Sequence, residues 1–230
     1  RWVRRVVDPV LAPVGSVNGA RTDDPVLGLT FDDGPDPAST PTVLDALARH
    51  GARATFFVLA DRAEEHPQEV RATVAAGHEI GLHGLDHRRL PSVPDPESWL
   101  ADGVRRVEAV AGVPVRRFRP PFGSQTLGTY RAARRTGLEV VVWAADVADW
   151  VGDPSAVVRF GLERARPGAV MLLHDAYAPD PAAPEPGPVL DRAGILDELL
   201  PAWIGRGYAL ESVAGLLRGR RPSTTAWFRP

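Results

Sequence analysis

Short apolar segments alternate with longer amphipathic segments along most of the chain. Seven apolar segments predict β-strands, at residues 26–30, 54–59, 79–82, 117–118, 138–143, 169–173 and 208–210. Helical patterns lie between most of them. Because strands separated by helices pair in parallel through crossover connections, the alternation predicts an α/β fold, either a parallel barrel or a wound sheet.

Proline and glycine mark several predicted helix boundaries. A capping side chain followed by proline, which is typical of a helix start, occurs at Thr40-Pro41, Asp95-Pro96 and Asp153-Pro154. The helices near 68–76 and 127–136 are followed by Gly77 and Gly137, each placed where a left-handed residue would end a helix. We interpret these residues as structural.

Two segments depart from the alternation. Residues 178–189 carry too many prolines for a helix or an inner strand, so we expect an extended loop. We interpret this loop as a mobile surface insertion in preference to a substrate-gating lid. The tail at 218–230 is basic and turn-rich, and we expect it to be poorly ordered unless Trp227 and Phe228 dock. The predicted organisation is an N-terminal arm at 1–25, one folded domain at 26–213 and a C-terminal tail at 214–230.

The composition restricts the partners of the chain. Its formal net charge is −2, so it lacks the broad basic field that nucleic-acid binding requires, and we exclude nucleic acid. No run of 18 apolar residues occurs, so we predict no membrane span in this chain, and the basic start is interpreted as a surface arm. Since the chain has no cysteine, any bound metal must be held by His, Asp or Glu.

Residues suited to chemistry follow five of the predicted strands. They are Asp32 with Asp33, His83 with His87, the segment 119–123, the segment 146–150, and His174 with Asp175. The loops at the carboxyl ends of parallel strands build the active sites of barrels. We therefore expect one active site assembled from all five segments.

The two histidines four residues apart indicate a metal site. Over one helical turn or a tight loop, the rings of His83 and His87 can converge on one cation, and Asp33 supplies a third ligand. Of two adjacent carboxylates, one can be ionised on the metal while the other, Asp32, acts as a base. The other histidines lie near predicted helix ends and are interpreted as structural or solvated: His50, His66 and His78.

In chain order, the motifs TFDDGP, HxxxH, RPPFG, DxxDW and LLH resemble those of the polysaccharide deacetylase family, the NodB-homology domain of carbohydrate esterases. The resemblance extends from about residue 26 to residue 213, and the motifs are specific together although each is weak alone. It implies that 26–213 is the catalytic domain, folded as a distorted (β/α) barrel with about seven parallel strands. It also implies a metal-dependent hydrolase that removes N-acetyl groups from an amino-sugar polymer such as peptidoglycan or a chitin-like glycan.

The resemblance further implies a role for each reacting group. Three residues would hold one divalent metal: Asp33, His83 and His87. Asp32 would be the base that takes a proton from the metal-activated water, and Arg119 would orient it. His174 would be the acid that protonates the departing amine, and Asp149 would steady that histidine. Zn²⁺ is the expected metal, with Co²⁺ or Ni²⁺ as alternatives.

The expected partner is an N-acetylated glycan. Trp150 and Leu172 would wall the pocket for the acetyl methyl group, and the backbone amide of Phe122 would join the metal in holding the oxyanion. The family usually has Ser or Thr after the first histidine of the pair, where this chain has Gly84. That departure weakens the expected support of the site and leaves room for another metal preference or another substrate.

Several alternatives to an N-deacetylase stay open. An O-acetyl esterase of the xylan type, or a deacetylase or deformylase of a small sugar conjugate, would use the same residues. Non-haem iron oxygenases also use two histidines and one carboxylate, but they need no additional base and acid. A non-catalytic sugar-binding domain would keep the barrel without turnover. We expect a monomer outside the cell or in the envelope of a bacterium, with a cytoplasmic location as the alternative.

Overall fold

The structure is a computed structural model that describes residues 15–227, so residues 1–14 of the predicted arm and Phe228 lie outside it. In chain order its strands are β1 (Ser16–Ala20), β2 (Val26–Asp32), β3 (Thr55–Leu59), β4 (Glu79–Gly84), β5 (Arg117–Phe118), β6 (Glu139–Val140), β7 (Ala145–Asp146), β8 (Val170–His174), β9 (Ala209–Glu211) and β10 (Pro222–Thr225). Seven of them form a curled parallel sheet in the order β6-β5-β4-β3-β2-β8-β7. β9 adds to it beside the start of β2. The predicted distorted barrel with about seven parallel strands is confirmed.

Helices connect the strands and cover the outside of the sheet. They are α1 (Thr40–Arg49), α2 (Ala60–Glu65), α3 (Pro67–Ala75), α4 (Pro96–Ala111), α5 (Leu127–Arg135), α6 (Pro154–Arg164), α7 (Arg192–Gly205) and α8 (Val213–Leu217). α7 packs against both α1 and α6. None of the helices in residues 15–227 combines the length and the apolar character needed to cross a lipid bilayer.

The central strand β2 is buried on both faces of the sheet. All of its residues are buried, because helices cover one face and the barrel interior covers the other. Inside the core the rings of Phe31 and Phe56 stack with their centroids 5.0 Å apart. Asp32, which ends β2, is therefore a carboxylate held at the rim of the sheet by a fully buried strand.

Most of the predicted helix boundaries are confirmed. The side chains of Asp95 and Asp153 accept hydrogen bonds from the backbone amides of Ser98 and Ala156, at 3.1 and 3.2 Å. Gly77 and Gly137 adopt φ of 82° and 81° after their helices. The expected cap at Thr40 is wrong: Thr40 is the first residue of α1, and its hydroxyl bonds to another part of the chain.

Three strands were not predicted from the sequence. β1 and β10 form a separate antiparallel pair, and β1 also bridges Val141, which follows β6, and Ala169, which precedes β8. The predicted strand at 138–143 is shorter than expected and is followed by β7. β10 lies in the C-terminal tail, which we expected to be ordered only if Trp227 and Phe228 packed against the domain. Trp227 does pack there, with 6% of its surface exposed. The domain boundaries proposed from the sequence stay a prediction.

Candidate active site

A cavity of about 290 Å³ opens at the carboxyl ends of β2, β4 and β8. Among its lining residues are nine singled out from the sequence: Asp32, Asp33, His83, His87, Phe122, Asp149, Trp150, Leu172 and His174. Arg119, the tenth, is fully buried behind the cavity wall. The structure thus brings together every residue predicted for the site.

The register of the parallel strands places the reacting groups. Asp32 at the end of β2 has His174 of β8 as its Cα partner, so the two side chains leave neighbouring strands at the same level. His83 lies within β4, and His87 lies in the bend that follows. The histidine pair is therefore built by a strand end and a loop, and the alternative of a helical turn is excluded.

Asp33, His83 and His87 converge on one point. Asp33 Oδ1 lies 3.4 Å from His83 Nε2 and 3.3 Å from His87 Nε2. One ligand atom of each residue lies within 4.8 Å of the other two, and all three residues are buried. These residues could hold a metal ion.

The backbone fixes the orientation of both imidazole rings. His83 Nδ1 donates to the carbonyl of Arg119 at 2.9 Å, and His87 Nδ1 donates to the carbonyl of Pro179 at 3.2 Å. With the proton assigned to Nδ1 in each ring, both Nε2 atoms present a lone pair. Within residues 15–227, Asp33 Oδ1 has no hydrogen-bond partner. Two imidazole lone pairs facing a buried, unpartnered carboxylate oxygen fit a divalent cation with open positions.

The Asp33 carboxylate is held in its ionised form. Its backbone adopts φ of 77°, and its Oδ2 accepts a hydrogen bond from the amide of Ala178 at 2.9 Å. Burial acts to raise the pKa of Asp33, but the imidazoles of His83 and His87 outweigh it and hold that pKa well below its usual range. An ionised carboxylate is the form that binds a metal.

Asp32 is paired with a buried arginine. Arg119 Nη1 donates to Asp32 Oδ1 at 2.7 Å and to the hydroxyl of Thr30 at 2.8 Å. The guanidinium also stacks on the ring of Phe57, 4.3 Å from its centroid. Since Oδ1 is bound to Arg119 on the buried side, Oδ2 is the oxygen closer to the metal ligands, 3.9 Å from His83 Nε2.

His174 is paired with Asp149 on the other side of the cavity. Its Nδ1 donates to Asp149 Oδ1 at 2.7 Å, and its backbone amide donates to Asp149 Oδ2 at 2.8 Å. Burial acts to lower the pKa of His174, but the charge and hydrogen bond of Asp149, helped by Asp33 and Asp32, raise it to about 10. This shift favours the protonated imidazole, the form that a general acid requires. Asp146, the other acid of this segment, lies outside the cavity and pairs with Arg164 at 2.6 Å.

Apolar side chains form the walls between these polar groups. The ring of Phe122 packs on His87 with centroids 4.2 Å apart, and the guanidinium of Arg89 lies 4.3 Å above Phe122. On the opposite side Trp150 meets His174 edge to face at 5.7 Å. Phe122 and Trp150 keep 37% and 46% of their surface exposed, which leaves two aromatic faces at the mouth of the cavity.

Gly84, the departure from the family pattern, has a steric explanation. Its φ is 118°, and a Cβ at this position would lie 2.4 Å from Cη2 of Trp99 and 3.1 Å from the carbonyl oxygen of Asp86. The indole of Trp99, in α4, thus occupies the space that a serine or threonine side chain would need. The chain therefore has no room for a hydroxyl side chain next to His83 unless Trp99 moves.

The segment at 177–180 contributes to the site and was missed in the sequence. It supplies the Ala178 amide and the Pro179 carbonyl described above, and the Tyr177 carbonyl accepts a hydrogen bond from Arg62 at 2.9 Å. The same arginine donates to the carbonyl of Asp33 at 3.0 Å. Within the predicted insertion at 178–189, residues 181–186 and Val189 are exposed, whereas Ala178 is buried. Backbone groups make these contacts, so residue types carried no signal for them.

Asp175 was grouped with His174 in the sequence without a role, and the structure shows what it contacts. Its Oδ2 accepts a hydrogen bond from the hydroxyl of Thr40 at 2.5 Å, and its backbone carbonyl accepts one from Ser39 at 2.5 Å. Burial raises the pKa of Asp175 to about 6. This contact joins the start of α1 to the end of β8 and explains why Thr40 does not cap its helix.

The remaining histidines have structural surroundings, as the sequence indicated. His78 accepts a hydrogen bond from the Ala54 amide at 3.2 Å, and burial lowers its pKa to about 4. His50 ends α1 and contacts Asp197 at 3.3 Å, while His66 lies between α2 and α3. None of these three lines the cavity.

Sequence comparisons relate the chain to known deacetylases. Residues 19–141 match the sequence model of a family described as polysaccharide deacetylase. The chain is 36% identical over 197 residues to the chitooligosaccharide deacetylase of Sinorhizobium fredii, covering 84% of this chain and 92% of that protein. It is 32% identical over 217 residues to the peptidoglycan-N-acetylglucosamine deacetylase of Bacillus cereus, covering 90% and 96% of the two chains.

Solved structures share the fold. A peptidoglycan N-acetylglucosamine deacetylase in complex with a benzamide compound superposes with a TM-score of 0.81 and 25% identity, over 95% of this chain and 98% of that one. A variant of a family 4 carbohydrate-esterase pseudoenzyme with restored enzymatic activity superposes with a TM-score of 0.77 and 25% identity, over 87% and 70%. Since this fold also occurs in a pseudoenzyme, the side chains in the cavity must carry the argument for activity.

The packing of Trp99 on Gly84 predicts the effect of adding a side chain there. We expect Gly84→Ser to lower the melting temperature and weaken Zn²⁺ binding, because overpacking costs about 1–3 kcal/mol and the strain falls next to His83. Gly137→Ser is the matched control, since its φ is also positive but nothing lies within 4 Å of the added atom. Adding Trp99→Ala to Gly84→Ser should recover part of both losses. Equal melting temperatures for the two serine variants would contradict the steric explanation.

Proposed function

The chain belongs to the polysaccharide deacetylase family, and from this premise we propose that it hydrolyses the N-acetyl group of an amino sugar in a glycan. Relatives named as acting on chitooligosaccharides and on peptidoglycan support a substrate of this class. The observation that carries the proposal is the arrangement in one cavity of a possible metal triad, an arginine-bound carboxylate and an aspartate-bound imidazole. The glycan itself and its length are part of the proposal.

Asp33, His83 and His87 would hold the divalent metal, for which we propose Zn²⁺ with Co²⁺ or Ni²⁺ as alternatives. When bound, such an ion supplies Lewis acidity at the reacting carbonyl and makes water a stronger acid. The hydrogen bonds from His83 Nδ1 and His87 Nδ1 to backbone carbonyls hold both imidazole rings in the orientation that metal binding needs.

Asp32 is the proposed general base. Its carboxylate accepts the proton of the attacking water, while Arg119 holds the other oxygen and prevents the side chain from rotating away. The backbone amide of Phe122 is the proposed donor to the negative charge that develops on the acetyl oxygen. Leu172 and Trp150 are proposed to enclose the acetyl methyl group, since both line the cavity.

His174 is the proposed general acid. As the carbon–nitrogen bond breaks, its imidazolium gives a proton to the amine nitrogen, so that a free amine and acetate are the products. Asp149 stabilises the cation and fixes the ring. An amine leaves poorly without a proton, so an acid kept charged by Asp149 supports N-deacetylation over ester cleavage. These groups also argue against a purely sugar-binding domain, which needs neither the base nor the acid.

We further propose that residues 26–213 are the catalytic domain, acting as a monomer on glycans outside the cell or in the cell envelope. The relatives that act on peptidoglycan and chitooligosaccharides support this location, because such glycans are found there. The paired strands β1 and β10 then belong with this domain structurally, although they lie outside those bounds.

Two substitutions distinguish the role of the proposed base from that of the proposed metal ligands. Asp32→Asn should keep about one equivalent of Zn²⁺ but lower acetate release roughly 10²–10⁴-fold, because only general-base help is lost. His83→Ala should lose both the metal and the activity. The measurement is metal content by mass spectrometry together with acetate release from chitin oligomers and peptidoglycan.

His50→Ala is the control for these variants, because it removes an imidazole outside the cavity and should change neither quantity. Full activity in Asp32→Asn would show that the base is assigned to the wrong residue. Retention of metal by His83→Ala would refute the ligand assignment.

The Asp149 contact predicts the pH dependence. A general acid works only while protonated, so activity should fall as the pH rises through the pKa of His174, which Asp149 raises. Asp149→Asn removes that charge and should move the alkaline limb of the kcat profile to lower pH. Asp146→Asn alters a nearby carboxylate paired with Arg164 instead and should leave the limb in place. Superimposable profiles for all three proteins would rule out His174 as the acid held by Asp149.

A further inference from the structure

Trp227 reaches the site from the far end of the chain. β10 pairs with β1 in antiparallel register, with Thr225 opposite Ser16. Two residues later, the side chain of Trp227 lies buried against the turn at Pro121–Gly123. A residue near the end of the sequence therefore contacts the segment that lines the cavity beside His87.

Hydrogen bonds run in both directions between Trp227 and this segment. Its indole Nε1 donates to the carbonyl of Gly123 at 2.9 Å. Its own backbone carbonyl accepts a hydrogen bond from Gln125 Nε2 at 2.7 Å, and the same amide donates to the hydroxyl of Ser16 at 3.0 Å. Both the turn and the terminal strand pair are thereby attached to Trp227.

The turn that Trp227 holds has an unusual backbone. Phe122 and Gly123 adopt φ of 58° and 63° in succession, a left-handed conformation that is unfavourable for phenylalanine. A Cβ at Gly123 would lie 2.8 Å from Cη2 of Trp143 and 3.1 Å from Nε1 of Trp227, so two indoles enclose the turn. Those indoles meet at 4.8 Å between ring centroids. Surrounding contacts must hold such a turn in place.

We propose that Trp227 is a positioning residue, which holds the Phe122 backbone amide where charge develops on the acetyl oxygen. The inference rests on the proposed function, in which that amide is the oxyanion donor. Donors of this kind act only when they are fixed in advance, and a small displacement is costly for turnover. Trp227 is not among the residues that line the cavity, and it acts through the carbonyl of Gly123.

The test compares two tryptophans with the same chemistry. Trp203 is also buried and donates its indole Nε1 to a glycine carbonyl, that of Gly161, at 3.1 Å, but it packs between helices and does not line the cavity. Trp227→Phe and Trp203→Phe each remove one such hydrogen bond and keep an aromatic ring. The Zn²⁺-loaded proteins are assayed for acetate release from chitin oligomers, at a temperature where circular dichroism shows all of them folded.

We expect Trp227→Phe to lower kcat by about 10-fold or more, as for a misplaced catalytic group, with KM and Zn²⁺ content unchanged. Trp203→Phe should lower the melting temperature without changing kcat. In Trp227→Ala, added indole should restore part of the lost kcat. Equal kcat for the two phenylalanine variants, or a loss that appears only in KM, would overturn the inference while leaving the proposed function intact. Absence of acetate release by the unmodified protein would instead overturn the proposed function, and this inference with it.

Discussion

Two imidazole nitrogens and one carboxylate oxygen, from His83, His87 and Asp33, meet in a buried space, and the other reacting groups lie around them. Each Nδ1 of His83 and His87 is committed to a backbone carbonyl, so both Nε2 lone pairs face Asp33 Oδ1. Lone pairs that point at one another repel unless a cation lies between them. A proton on either imidazole would also relieve this repulsion, and it is such a proton that holds the pKa of Asp33 low. The arrangement is therefore suited to a metal ion and unfavourable without a positive charge.

The parallel sheet places the proposed base and the proposed acid beside these three residues. Neighbouring strands end at the same level, so the partner of Asp32 across β2 and β8 is His174. Each is then fixed by an oppositely charged group, Arg119 for the carboxylate and Asp149 for the imidazole. The two pairs place a proton acceptor and a charged proton donor in one cavity with the triad. This division of roles depends on rigid support from strands, and the connecting loops add backbone donors and acceptors.

Much of this site could be predicted because its chemistry resides in side chains that follow apolar strands. Asp33, His83 and His87 were identifiable by residue type and by their position at or just after the ends of β2 and β4. What could not be predicted depends on contacts between distant segments. The Ala178 amide and the Pro179 carbonyl carry no signal in residue type, and Trp99 explains Gly84 only once α4 is packed against β4.

The polar strand β10 could not be recognised for a related reason. Its sequence, Pro-Ser-Thr-Thr, lacks the apolar alternation of a strand, and it forms only because β1 offers a partner. Thr40 illustrates the same limit: its local sequence predicts a helix cap, but the buried carboxylate of Asp175 takes its hydroxyl. Long-range partners thus override local preference at the points where segments join around the site.

X-ray absorption spectroscopy of the Zn²⁺-loaded protein tests the central claim most directly. The account predicts one ion per chain, with two imidazole nitrogens and a carboxylate oxygen among its ligands, at about 2.0–2.2 Å. His87→Ala should bind Zn²⁺ more weakly and give at most half of the imidazole scattering, whereas His78→Ala should leave the scattering unchanged. A coordination sphere without two imidazoles, or one that His87→Ala does not alter, would contradict it.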